Sequence, residues 1–266
     1  MNSSFANSQT SDWKPAQSWL VFILITLVFL LTAHAIAFFP HEYAHSTVAW
    51  MLGWKSNPLA LNYGHLNAGN LLAQFDIDEN VDYDPIFSSG NGVQAGLIAA
   101  AGVVIGNGIS YGISRWGYNT AKRQNSLTWC LFFFWLCLAS VGNFIDYVPV
   151  RVFAPHGDMF TLAKGFNCSP WWILIVMGIP FGAAIVDFFC RFAPRALCWL
   201  FPESPGKRLA MILLTTLIFF GFYGNAGLSG YGEVSHDISL ACVCLIPFAA
   251  LLEWWQVNRL QLISIK

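Results

Sequence analysis

Residues 18–39 read SWLVFILITLVFLLTAHAIAFF, twenty-two positions without a formal charge, and Pro40-His41-Glu42-Tyr43-Ala44-His45 follows at once. A helix that crosses a bilayer needs about 20 largely apolar residues, and this stretch supplies them. Five more runs of the same kind follow at 93–114, 126–145, 171–190, 209–226 and 238–255. They are continuous rather than alternating, which excludes a closed barrel and leaves a helical bundle as the way to satisfy backbone groups in hydrocarbon. The expected fold is therefore all-α: a polytopic membrane helix bundle of about six transmembrane helices.

Composition agrees. Of 266 residues, 56% are hydrophobic and 10% charged, too apolar for an ordinary soluble domain and suited to a lipid bilayer as solvent. The net charge of −1 and the lack of a Lys/Arg cluster among exposed aromatics argue against nucleic acid as a partner. The seven cysteines fall in or beside the apolar runs with no CxxC pair, and read as packing residues. Trp54, Trp171, Trp172, Trp254 and Trp255 stand at run ends, as interfacial aromatics do.

Residues 1–17 form a polar N-terminal tail, and 18–266 form a single membrane-embedded unit whose longest polar connection is the acidic loop at 55–90, expected outside the membrane. Arg115, Lys122 and Arg123 lie in one connection, Arg191, Arg195, Lys207 and Arg208 in another, and Arg259 and Lys266 in the tail. The loop at 55–90 carries Asp76, Asp78, Glu79, Asp82 and Asp84. By the positive-inside rule this alternation places both termini in the cytoplasm and the acidic loops outside. The stretch 71–77 within the acidic loop suggests a short hairpin, or an irregular segment.

Chemistry concentrates just after the first run. His41 and His45, four apart on a helix, project from one face one turn apart, the spacing with which two imidazoles grip one Zn²⁺. Glu42 can then reach the open coordination position as a general base. Glu42, Asp187 and Glu253 are the acidic residues inside apolar stretches, where an ionisable group is costly. Pro40 either begins a helix or kinks a continuing one, and Gly53 is a natural stop. A catalytic zinc takes a third protein ligand. The candidates lie after the third run, in Gly142–Asp158, which carries Asp146, His156 and Asp158 and returns to the membrane face of His41 and His45 on the charge argument.

These elements resemble the site-2 protease class of intramembrane metallopeptidases, the M50 type. His41, Glu42 and His45 match its HExxH without change. Ala101-Gly102-Val103 through Asn107 resembles its small-residue stretch but lacks the proline. Asn143, Pro149 and Asp158 resemble its Asn-x-x-Pro…Asp-Gly segment at longer spacing, with Gly157 before the aspartate. The resemblance implies Asp158 as the third ligand, Asn143 as a donor to the substrate carbonyl or its oxyanion, and peptide bonds of membrane or membrane-proximal substrates as the target. It also implies access from the cytosolic side, whereas the charge pattern places His41 near the outer face.

Other functions use the same residues. A metal-dependent hydrolase of a lipid or small amide needs the same ligands and base. A non-enzymatic metal-binding membrane protein, a transporter or assembly factor, needs only the ligands. A transporter distributes its polar groups over several broken helices at mid-bilayer, whereas here they gather at one end of two segments. His34, seven positions before His41, reads as a helix-packing histidine bonded to a carbonyl, or as a partner of the site. Asp187 and Glu253 read as groups that pair with a basic residue at an interface or line a polar path, or, more plainly, that reach water from helix ends. Gly102 and Gly106, then Gly108 and Gly112, read as two close-packing pairs.

Overall fold

A computed structural model describes residues 18–228 and 230–264 of the chain, and the polar tail at 1–17 lies outside them. The described residues contain nine helices and no strand. In chain order these are α1 (Trp19–Met51), α2 (Ala68–Ala73), α3 (Asp84–Ser88), α4 (Gly92–Arg123), α5 (Leu127–Val150), α6 (Asp158–Gly165), α7 (Pro170–Leu200), α8 (Pro205–Leu228) and α9 (Glu233–Ile263). Six of them, α1, α4, α5, α7, α8 and α9, are long and apolar enough to cross a membrane, which marks an integral membrane protein.

All six apolar runs are found, each inside a longer helix. In α1 the helix continues through Pro40, so the apolar span and the His41–His45 pair share one continuous helix. The helix ends as expected at Gly53, which adopts φ +83°. Gly53 N–H donates to the Trp50 carbonyl and Trp54 N–H to the Ala49 carbonyl, the paired bonds of a Schellman stop. α4 runs on past its apolar part to Lys122 and Arg123, whose charges complement the carboxyl end of the helix.

α5 is the central helix. Its most apolar stretch is 83% buried, against 22% in α1 and 17% in both α7 and α9, whose outer faces are left for lipid. Trp135, Phe134, Leu131 and Leu138 of α5 are fully buried among Phe188, Leu197, Met211 and Phe219 of α7 and α8. A second core, built from Val103, Val148, Met159 and Met177, fastens α6 between α4, the end of α5 and α7.

The 55–90 connection is folded back on the bundle. Lys55 Nζ donates to the carbonyls of Ala60, Glu79 and Asn80 at 2.7, 2.6 and 2.9 Å, which closes its two arms into a loop. Asn62 and Asp78 form one antiparallel bridge, and the 71–77 stretch expected as a possible hairpin contains the end of α2 instead. Asn67 caps that helix by accepting from Asn70 N–H at 2.8 Å. Leu72 and Ala73 share an apolar cavity of about 270 Å³ with Leu31 and His34 of α1 and Tyr223 of α8, so the tip descends along α1 toward the middle of its apolar span.

The two glycine pairs differ. A Cβ on Gly106 would meet the Pro40 carbonyl and the His41 Cα, the latter at 2.5 Å, whereas Gly108 and Gly112 face open space. Only the first pair lets α1 and α4 touch at the backbone. Gly106→Val is therefore expected to lower stability by about 1–3 kcal/mol, the usual cost of overpacking. Gly112→Val is expected to change it by less than about 0.5 kcal/mol, as surface substitutions do. Equilibrium unfolding of the two variants in the same detergent measures the contrast.

Candidate metal centre

His41 and His45 lie on the inner face of α1, 2% and 1% exposed. The glycines of α4 let them sit there. A Cβ on Gly102 would strike the His45 ring and lie 2.6 Å from Cε1 of His41, so a side chain at this position would occupy the space of the imidazoles. Between Gly102 and Gly106 the helix widens to a π turn, an irregularity frequent at functional sites.

His45 Nδ1 lies 2.6 Å from the Ile98 carbonyl of α4. A carbonyl can only accept, so Nδ1 carries the proton and donates, and Nε2 is left as the lone-pair nitrogen. That nitrogen is 2.9 Å from His41 Nε2 and 3.3 Å from Asp158 Oδ2, and His41 Nε2 is 3.1 Å from the same oxygen. Two imidazole nitrogens and a carboxylate oxygen thus converge inside the bundle. Acceptors this close repel unless a proton or cation lies among them. Metal–nitrogen and metal–oxygen bonds of about 2.0–2.1 Å set tetrahedral ligand atoms about 3.3–3.4 Å apart, so the triad fits a zinc-sized ion after opening by a few tenths of an ångström.

Asp158 arrives as the first residue of α6, after Gly157 turns the chain at φ +82°. The helix is held against α4 at a glycine contact, where a Cβ on Gly165 would lie 2.6 Å from Gly96 N.

The other expected ligands are elsewhere. Asp146 makes an ion pair with Arg151 at 2.9 Å. His156 is exposed, 3.0 Å from the Gly230 carbonyl. Glu42 is 6% exposed, with His45, Glu79, Asp158 and Asp78 as its electrostatic neighbours. Asn143 donates through Nδ2 to Asn107 Oδ1 at 3.3 Å, which ties α5 to α4. His34 packs within the bundle as expected, its Nδ1 2.8 Å from the Tyr223 hydroxyl and its ring beside the backbone of Ala73.

Two groups escape a reading of the sequence. Tyr147 places its hydroxyl 2.9 Å from His41 Nε2 and its ring on the His41 ring, with centroids 4.6 Å apart at 24°. It stands in the 142–158 stretch, but the π turn at Asp146–Val150 sets which side chain faces inward. Glu79 is brought from the acidic loop to the neighbourhood of Glu42; burial raises its carboxyl, which accepts from the Tyr83 hydroxyl at 2.8 Å.

No protein-family model, no curated protein and no solved structure matches the chain.

Zinc added to chelator-treated protein is expected to bind at one ion per chain. Asp158→Asn is expected to weaken binding by about tenfold or more, in line with the loss of a ligating group, and Asp146→Asn and His156→Ala to leave it within about threefold. Equilibrium dialysis with metal analysis reads all three; equal losses in the three variants would remove the triad.

Proposed function

We propose that the chain is a zinc-dependent membrane metallopeptidase, with the ion held by His41, His45 and Asp158 and with Glu42 as general base. The observation that carries this reading is the convergence of two imidazole nitrogens and one carboxylate oxygen within 3.3 Å, one residue from a buried glutamate. The His45 tautomer set by the Ile98 carbonyl supports it, since an outer-shell acceptor is the usual partner of a ligating histidine. The site-2 protease resemblance supports it through the same residues, with the triad including the aspartate which that resemblance picks out.

When bound, the zinc ion supplies Lewis acidity, which makes water a nucleophile near neutral pH. Glu42 takes a proton from that water as its oxygen bonds to the scissile carbonyl carbon. As the carbon–nitrogen bond breaks, Glu42 passes the proton to the leaving amine. Gly102 and Gly106 keep the two imidazoles pressed into the bundle, where bulk water is largely excluded.

Peptide bonds of membrane or membrane-proximal segments are the proposed substrate, since the triad lies within a bundle of membrane-spanning helices. Amides in an intact helix are already hydrogen-bonded, so the substrate has to unwind locally or enter extended.

Glu42→Gln is the test. The variant is expected to hold as much zinc as the parent and to lose peptidase activity by about 10²- to 10⁴-fold, the usual worth of a general base. Metal analysis beside mass spectrometry of apolar peptides incubated with the protein in vesicles reads both. Equal cleavage by parent and variant, or no cleavage by zinc-loaded parent, would overturn the assignment.

A further inference from the structure

The Tyr147 hydroxyl is also in contact with the triad, and the peptidase reading leaves it without a task. Resting on that reading, we propose that Tyr147 is a catalytic residue whose phenol donates a hydrogen bond to the scissile carbonyl oxygen as that oxygen takes up negative charge.

Position favours this role. The hydroxyl is 2.9 Å from His41 Nε2, one of the three converging atoms, so it stands where the reacting carbonyl has to arrive. Nε2 of His41 offers a single lone pair. Once that lone pair is committed to an ion, the phenol loses it as an acceptor and its O–H is free for another. A substrate carbonyl brings one, and charge developing on its oxygen strengthens the bond in the transition state above its ground-state value.

Rigidity favours it too. The Tyr147 ring stacks on His41, and the Arg151 guanidinium lies over the ring with its central carbon 5.1 Å from the centroid. Arg151 is in turn anchored by Asp146 at 2.9 Å and lies over Tyr231 at 5.0 Å. This places Asp146 two contacts from Tyr147 and three from the triad, as a positioning residue. A donor held by packing on its ring needs no reorganisation when charge develops.

The rival donor is tied elsewhere in part. Asn143, to which the family resemblance gives the oxyanion role, gives one of its two amide protons to Asn107 at 3.3 Å, whereas the Tyr147 hydroxyl touches a ligand. The phenol keeps its proton throughout: the new carbon–oxygen bond comes from water, the carbon–nitrogen bond breaks, and the proton taken by Glu42 leaves with the amine.

Tyr147→Phe keeps the stacked ring and removes the hydroxyl alone. The full chain, loaded with zinc, is compared with the parent in zinc content, in kcat and KM on a cleaved peptide, and in affinity for a phosphinic peptide. That probe carries a tetrahedral, negatively charged oxygen and needs no turnover. Zinc content and KM are expected to stay within about threefold while kcat falls about 10²- to 10³-fold, as for loss of one oxyanion donor. Phosphinic-peptide affinity is expected to fall about 10- to 100-fold, the worth of a hydrogen bond to a charged group. Arg151→Met, which leaves the hydroxyl but removes one support of the ring, is expected to show the same pattern at smaller amplitude. Loss of zinc from Tyr147→Phe would make the phenol a ligand, and unchanged kcat and affinity would make it packing; either result overturns the proposal while the peptidase reading stands. A zinc-loaded parent that neither cleaves peptides nor binds the phosphinic probe would sink both.

Discussion

Two imidazole nitrogens and one carboxylate oxygen meet within 3.3 Å in the interior of a membrane bundle, and the surrounding helices are arranged so that they can. In a low-dielectric interior an uncompensated charge costs several kcal/mol, so acceptors are brought together only where something positive joins them. α1 supplies two of the three atoms at a spacing set by the helix itself. α4 supplies the room, because Gly102 and Gly106 remove the side chains that would hold it off, and it supplies the Ile98 carbonyl that orients His45. α6 delivers the third atom at its first residue.

Irregular backbone recurs where these elements touch. The wide turn at Gly102–Gly106 faces the imidazoles, and that at Asp146–Val150 precedes the chain that carries Asp158. An extra residue in one helical turn shifts the face that later side chains present. At α5 the outcome is a division of labour between neighbours: Tyr147 lies on His41, while Asp146 turns to Arg151. They point to different sides, since adjacent residues of a helix are about 100° apart.

Charges elsewhere in the apolar helices follow the same rule of pairing, with one departure. Asp187 of α7 meets Arg115 of α4 at 2.8 Å and Arg191 at 3.8 Å, so of the readings open for it the pairing with a basic residue accounts for it. Glu253 is 1% exposed, and neither carboxylate oxygen has a hydrogen-bond partner among the described residues. Its burial differs from the helix-end position expected, because α9 continues ten residues beyond it to Ile263.

Much of this chain is local in origin and could be read along its length. Six apolar runs become six spanning helices because hydrocarbon admits no other backbone at that length, and His41 and His45 share a helix face because 3.6 residues make a turn. The choice among Asp146, His156 and Asp158 is of another kind. All three stand within a short stretch of chain, and each is a chemically competent ligand. Which one reaches the imidazoles depends on how α6 seats against Gly92 and Gly96 of α4 and on a turn at Gly157, and these are contacts between distant segments. Tyr147 and Glu79 come to the site for the same reason. Helix formation and membrane insertion are properties of consecutive residues, whereas the meeting of side chains from α1, α5, α6 and the acidic loop exists only once those elements have packed.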